Sequence, residues 1–220
     1  MVRYILSQSY ANNNDTQVII ARCRAVAPVE ILRDSVFAAY AQTLSPQGIA
    51  AICRQQTRTL EDLAADESDF LLIGENLQDP GNVGTLIRTA AAAGAGGAIF
   101  TLGSADIYSA KVQRAAAGAA LRLPVISDIS ATEVFAWVKA RRIPLYAAHP
   151  RGDIAPYELD MKKHFCLLVG NEARGISGQA DTFVDAFVRL PMAETNESLN
   201  AALAGGIMMY EAVRQRYTVI

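Results

Sequence analysis

From Phe70 onward, short apolar runs alternate with segments whose apolar residues recur every three or four positions. FLLI at 70–73 and FCLLV at 165–169 are apolar throughout, as in strands of a parallel sheet covered by helices on both faces. Between them, segments such as VGTLIRTAAAAG space their apolar residues for one helical face. The pattern predicts strands over Phe70–Ile73, Ala98–Leu102, Pro124–Ser127, Ile143–Ala147, Phe165–Val169 and Ala186–Leu190. Helices are expected at about 82–94, 109–118, 131–141, 178–184 and 198–216. Such alternation defines an α/β domain built on a parallel sheet.

The N-terminal part is patterned differently. A strand at Val18–Cys23, a helix opening at Pro28 with Glu30 in its first turn, and a strand around Ile49–Cys53 would form a small αβ unit. The polar stretch RQQTRTLEDLAADESD then leads into the main domain. The expected organisation is therefore a small unit over 1–58, a linker over 59–68 and the α/β domain over 69–220. A unit this short has a marginal core of its own.

Composition narrows the chemistry. Of 220 residues, 51% are hydrophobic, which suits a well-buried α/β protein. No apolar run reaches the ~18 residues of a membrane span, and MVRYILSQSY lacks the order of a signal sequence, so a cytoplasmic protein without membrane attachment is expected. Cys23, Cys53 and Cys166 form no CxxC pair, and His149 and His164 are the only histidines. That argues against a disulfide frame, a metal centre and a Ser/His triad. The net charge is −2, with Arg141-Arg142 and Lys162-Lys163 as the only basic doublets. Indiscriminate nucleic-acid binding needs clustered cations, whereas a local basic groove remains open.

Familiar nucleotide motifs fail. GAGGAI at 94–99 is not GxGxxG and precedes a strand rather than following one, and GxxxxGK[ST] is absent. Three polar clusters instead follow predicted strands, at the carboxyl edge where α/β sheets place ligands: ENLQDPGNVGTLIR, GNEARGIS and PMAETNESLN. Asp79-Pro80-Gly81-Asn82 is a strong chain reversal that should start a helix near Asn82. Its apolar face would carry Val83, Leu86, Ile87 and Ala90, leaving Arg88 as its one long charged side chain. Gly170 lets the backbone approach a flat ligand, and Glu172 puts a carboxylate at the sheet edge. Ser198 is positioned to cap the last helix, with Leu199 turned inward and Asn200 offering an amide. Taken singly, Ser198 reads as a cap, Glu172 as a surface acid and Arg88 as a snorkelling side chain. Together they predict a ligand site at one sheet edge, better suited to an uncharged base than to a phosphate.

In this order, DPGNVGTLIRTA, LLVGNEARGIS and LPMAETNESLNAALAGGIMMYE resemble the three motifs of the SpoU (TrmH) family of SPOUT RNA 2′-O-ribose methyltransferases. The resemblance covers about 69–217 and is specific for the family, though not for a substrate. It implies a parallel sheet with helices on both faces whose C-terminal segment forms a trefoil knot, an exception to the unknotted default. It also implies S-adenosylmethionine as cofactor, contacted by Gly170, Leu190, Leu199 and Met192, with Ala148 and His149 beside the adenine. No metal is required. Arg88 becomes the central catalytic residue through the target's phosphate, with Asn82, Glu172, Ser198 and Asn200 ordering the site; an arginine with its usual pKa above about 12 is a poor base, which favours positioning.

A homodimer is implied, with Arg88 and the third-motif helix near the interface. RNA is the implied partner, ribosomal RNA favoured over tRNA because SPQGIAAICR resembles the end of an RNA-binding domain that looks shortened here. Two departures stand out: SLNAALAGG where many relatives have SLNVSVA, and Glu194 where many have Gly. The alternative is a catalytically silent RNA-binding or ribosome-assembly protein, which would need no such set of polar residues. A dehydrogenase-like enzyme would need a phosphate-binding loop that is absent.

Overall fold

The computed structural model describes residues 1–41, 43, 45–63, 70–193 and 198–217. The chain divides into two compact units, Met1–Thr57 and Arg58–Ile220.

The small unit has a three-stranded sheet ordered β2-β1-β3, made of β1 (Arg3–Ser7), β2 (Val29–Leu32) and β3 (Ile49–Ile52). Strand β1 pairs parallel with β2 and antiparallel with β3. Three helices, α1 (Gln8–Asn12), α2 (Gln17–Val26) and α3 (Asp34–Tyr40), complete it. This corrects two expectations. Val18–Cys23 is helical: Ile20 and Cys23, three apart, are buried, whereas Val18 and Ile19 face solvent, a helical rather than alternating pattern. Pro28 opens a strand instead of a helix, because Val29–Leu32 finds a partner in the strand RYILS. The strand near Ile49 is present.

The larger unit carries six parallel strands in the order β6-β5-β4-β8-β7-β9. They are β4 (Leu71–Gly74), β5 (Gly97–Thr101), β6 (Val125–Ile129), β7 (Leu145–Ala148), β8 (Cys166–Val169) and β9 (Ala186–Val188), each within a few residues of its predicted place. The helices are α4 (Pro80–Ala92), α5 (Ala110–Ala116), α6 (Ala131–Ala140) and α7 (Ala201–Tyr217). The segment expected to be helical at 178–184 forms only a single tight turn at Ala180–Thr182.

Strand residues alternate between two cores. Phe70, Leu72, Leu167 and Val169 pack with α4, α5 and α7, while Leu71, Ile73, Cys166 and Leu168 pack with α6 on the other face. Leu60 and Leu63, in the stretch expected as a linker, are buried in that second core, and Leu63 lies against Gly97. Residues 64–69 lie outside the described residues.

Strand order reverses between β4 and β8, the two central strands. Their carboxyl ends open the crevice in which doubly wound sheets bind ligands. Helices α4 and α7 flank it in the same direction: Asn82 meets Asn200, Leu86 abuts Gly205 and Thr89 lies beside Gly206. A Cβ on Gly205 would come within 2.8 Å of Leu86 and 3.0 Å of Val169, so the absence of a side chain lets α7 seat against both α4 and β8. The far end of α7 is tied down as well. Gln215 accepts from the Met161 amide and donates to the Leu159 carbonyl, and Arg216 donates to the carbonyls of Met161 and Lys163 while lying over Phe70 and Phe165.

Candidate active site

Helix α4 begins at Pro80, with Asp79 as its cap: the Asp79 carboxylate accepts from the Asn82 amide at 2.9 Å. Asn82 was expected to start this helix. Because Asp79 takes the cap, the Asn82 side chain is instead buried in the first turn and free for other partners. That capping bond, with Lys111 3.7 Å away, holds the Asp79 carboxyl below its ordinary pKa against the opposing effect of burial.

Glu172, just beyond β8, is the hub of the site. Its Oε1 accepts from the Asp79 amide at 3.1 Å and from Asn82 Nδ2 at 3.0 Å, and its Oε2 accepts from the Gln78 amide at 3.2 Å. Desolvation pushes this carboxyl up, but the hydrogen bonds, led by that from Asn82, outweigh it and leave the pKa below the usual glutamate value. On its other side Asn82 Oδ1 accepts from Asn200 Nδ2 at 2.9 Å. One relay, Glu172–Asn82–Asn200, therefore joins all three sequence clusters.

Asn200 also caps α7, its Oδ1 accepting from the amides of Ala202 and Leu203. This displaces the expectation for Ser198. The last helix starts three residues after it, at Ala201, and Ser198 faces the cleft as an exposed hydroxyl without a hydrogen bond among the described residues.

A cleft of about 340 Å³ opens beside this relay, within the range of small-molecule sites. Ala148 at the end of β7 with His149 after it, Gly170 and Glu172 after β8, and Leu190, Met192, Ser198 and Leu199 after β9 all line it. Every residue predicted to contact a cofactor is in this lining. Gly170 is a tight point: a Cβ there would lie 2.5 Å from the Gly175 carbonyl and 2.7 Å from the Ile176 nitrogen. His149 is held in place, accepting from the Arg151 amide at 3.1 Å and meeting Phe187 edge-on.

Several positioning residues escaped the sequence reading. Asn171 is buried; its Nδ2 donates to the Asn76 carbonyl at 2.7 Å and its Oδ1 accepts from the amides of Ala173 and Arg174. Buried Glu75 accepts from both the amide and the hydroxyl of Ser177, tying the end of β4 to the loop after β8. The available signal was an asparagine or acid placed at a strand end inside a polar cluster, where such side chains close turns.

Arg88 is not in the relay. Six residues beyond Asn82 on α4, it is exposed, makes no side-chain hydrogen bond or ion pair among the described residues, and lines a second cleft formed by α4 and residues 117–124. Among the described residues no group of three or more His, Cys, Asp or Glu is arranged to hold a metal ion, and no helix is long and apolar enough to cross a membrane.

Six parallel strands, helices on both faces and a polar-rimmed cleft at the reversal of strand order define a doubly wound α/β protein with an open cleft at its switch point. The chain belongs to the SpoU rRNA Methylase family, whose pattern it matches over residues 69–210. It is 36% identical over 177 residues to the 23S rRNA (uridine(2479)-2'-O)-methyltransferase of Streptomyces viridochromogenes, a match covering 78% of this chain and 62% of that protein. It is 35% identical over 181 residues to the 23S rRNA (guanosine(2553)-2'-O)-methyltransferase RlmP of Bacillus subtilis, covering 82% of this chain and 70% of that one. Its fold superposes with a TM-score of 0.88 and 29% identity on the SpoU methyltransferase AviRb from Streptomyces viridochromogenes in complex with AdoMet, over 98% of this chain and 83% of that one.

Proposed function

We propose that this protein transfers a methyl group from S-adenosylmethionine to a ribose 2′-hydroxyl of ribosomal RNA. The observation that carries the reading is the Glu172–Asn82–Asn200 relay at the rim of the cleft: a binding module has no need to join three distant loops by charge-assisted and amide hydrogen bonds beside a ligand cavity.

The cleft suits the cofactor. Ala148, Leu190, Met192 and Leu199 offer apolar walls for a flat adenine, and the missing Cβ of Gly170 lets the Gly175–Ile176 backbone pack against the end of β8, which shapes the rim of the cleft. When bound, the sulfonium supplies an already activated methyl electrophile, so the chain's own task is orientation. Glu172 stays ionised and fixes the Gln78–Asp79 turn from which α4 starts. Asn82 and Asn200 lock α4 and α7 in register, and Ser198 presents a hydroxyl to the ribose. Arg88 binds the target's phosphate and so sets the 2′-hydroxyl in line.

The site is completed by a second copy. Leu203, Ile207 and Tyr210 form an exposed apolar stripe on α7, a helix whose Gly206 lies beside Thr89, the residue after Arg88 on α4. Burying that stripe in a homodimer would bring one protomer's Arg88 toward the other's cleft. Helix α7 follows the edge strand β9 yet returns to mid-sheet against β8, the return that the family's trefoil knot requires. The small unit, with Arg22, Arg24 and Arg33 exposed, serves RNA binding in this reading.

The test is incubation with methyl-labelled S-adenosylmethionine and unmodified total RNA, followed by alkaline hydrolysis. Label in alkali-resistant dinucleotides from ribosomal RNA is expected, and Arg88→Ala should abolish it while cofactor binding persists. Label in mononucleotides would move the target to a base. Cofactor binding with no transfer to any RNA would favour a silent binding protein.

A further inference from the structure

The second cleft, of about 440 Å³, is not explained by the cofactor. Its lining comprises Ala91 and Ala92 of α4, Ala95 beyond its end, Ala117, Ala119, Leu123 and Pro124, and two charged side chains, Arg88 and Arg122. No carboxylate lines it, in a chain whose acids outnumber its bases by 22 to 20. Neither guanidinium has a hydrogen bond or ion pair among the described residues, so the cleft holds two uncompensated positive charges above an alanine floor.

The backbone keeps it open. Ala117 and Gly118 are consecutive left-handed residues (φ 48 and 79), which turn the chain from α5 into the short turn Ala119–Leu121. A left-handed alanine is strained backbone of the kind that persists where the surrounding structure fixes it. Ala119 and Leu123 are buried on either side of Arg122, so this position is anchored while its side chain faces outward. Alanine methyls are too short to fill the gap between the turn and α4.

We infer that this cleft binds the RNA strand flanking the target nucleotide, with Arg122 as a second phosphate ligand beyond Arg88. This rests on the methyltransferase reading above. Guanidinium forks match phosphodiester oxygens bidentately, and the small apolar floor between them leaves room for a ribose or an unstacked base. A strand whose target phosphate is held by Arg88 runs on across the floor to Arg122. The ligand is single-stranded RNA rather than a free anion, because two cations from different elements, one on α4 and one after the turn Ala119–Leu121, line one nucleotide-sized cleft and match successive phosphates better than a single one.

Binding of an unmodified 23S rRNA transcript should be measured over a range of salt concentrations for the wild type, Arg122→Ala, Arg122→Lys and Ala95→Leu, with cofactor affinity by calorimetry and oligomeric state by sedimentation. Arg122→Ala should weaken RNA binding roughly tenfold and lower the slope of log K against log salt by about 0.7 to 0.9, the loss of one phosphate contact. Arg122→Lys should recover most of the slope, and Ala95→Leu should weaken binding by filling the floor with the charge intact. Cofactor affinity and oligomeric state should not change. Unchanged affinity and slope in Arg122→Ala would overturn the inference. So would dissociation of the oligomer in that variant, which would make the cleft a subunit contact. A wild type that methylates ribose while Arg122→Ala is neutral would sink this inference alone; RNA binding through Arg122 with no methyl transfer would sink the enzymatic reading and leave the cleft standing.

Discussion

Glutamine at position 172 preserves the shape of the hub and removes its charge. In the wild type Oε1 accepts two hydrogen bonds and Oε2 one, all to groups at the start of α4. An amide oxygen in the Oε1 place keeps two of these as neutral bonds, weaker by about 0.5–1 kcal/mol each, while the amide nitrogen meets the Gln78 N–H donor to donor and forfeits about 1 kcal/mol. The sum is about 2–3 kcal/mol, and because Glu172 is partly exposed, water recovers a share, leaving about 1–2 kcal/mol. Urea unfolding followed by circular dichroism at fixed protein concentration measures it.

The pH dependence follows from the depressed pKa. A carboxylate favoured in the folded state contributes its stability above its unfolded pKa, about 4.3, and loses it as pH falls through the lower folded value. The gap between wild type and Glu172→Gln should be constant from about pH 7 to about pH 5 and close below about pH 4. Methyl transfer at neutral pH should fall about 100-fold, the usual consequence of a misplaced positioning group. A gap that widens on acidification, or a variant as stable and active as wild type at neutral pH, would refute the assignment of Glu172 as an ionised hub.

Gly170→Ala should abolish cofactor binding in calorimetry, since the new Cβ would lie 2.5 Å from the Gly175 backbone; unchanged affinity would mean that the cleft is not the cofactor site. Ile207→Glu, on the exposed stripe of α7, should convert a sedimenting dimer to a monomer and lose transfer with the fold intact, whereas an unaffected dimer would place the interface elsewhere. Of the three thiols, only exposed Cys53 should react quickly with a thiol reagent in the native protein; Cys23 and Cys166 are buried, and burial pushes the Cys166 thiol well above its ordinary pKa. Mass mapping of the labelled peptide checks this.

The parallel sheet was legible because FLLI and FCLLV are apolar on both faces, and in the structure Leu71 and Leu72 do enter opposite cores. The small unit was misread where QVIIARCRAV carries β-branched residues that favour strands by type, although their spacing buries Ile20 and Cys23 as in a helix. Cap assignments slipped by a few residues, at Asp79 instead of Asn82 and at Asn200 instead of Ser198, since several cap-forming residues stand in a row and only three-dimensional packing selects one. The cleft beside the relay was legible as three loops on one sheet edge. Arg88 was legible as an unusual cation, but its separation from the relay depends on where α5 and the turn after it leave space, which no local pattern specifies.

The relay through Asn82 spans 90 residues to Glu172 and 118 residues to Asn200, and Asn200 stands at the start of the last helix. During synthesis the sheet strands emerge in turn, yet the relay is not complete until α7 has docked against β8 and α4. A chain interrupted before Ala201 therefore keeps the strands of the sheet and lacks the helix that Asn200 caps and that packs on α4 and β8.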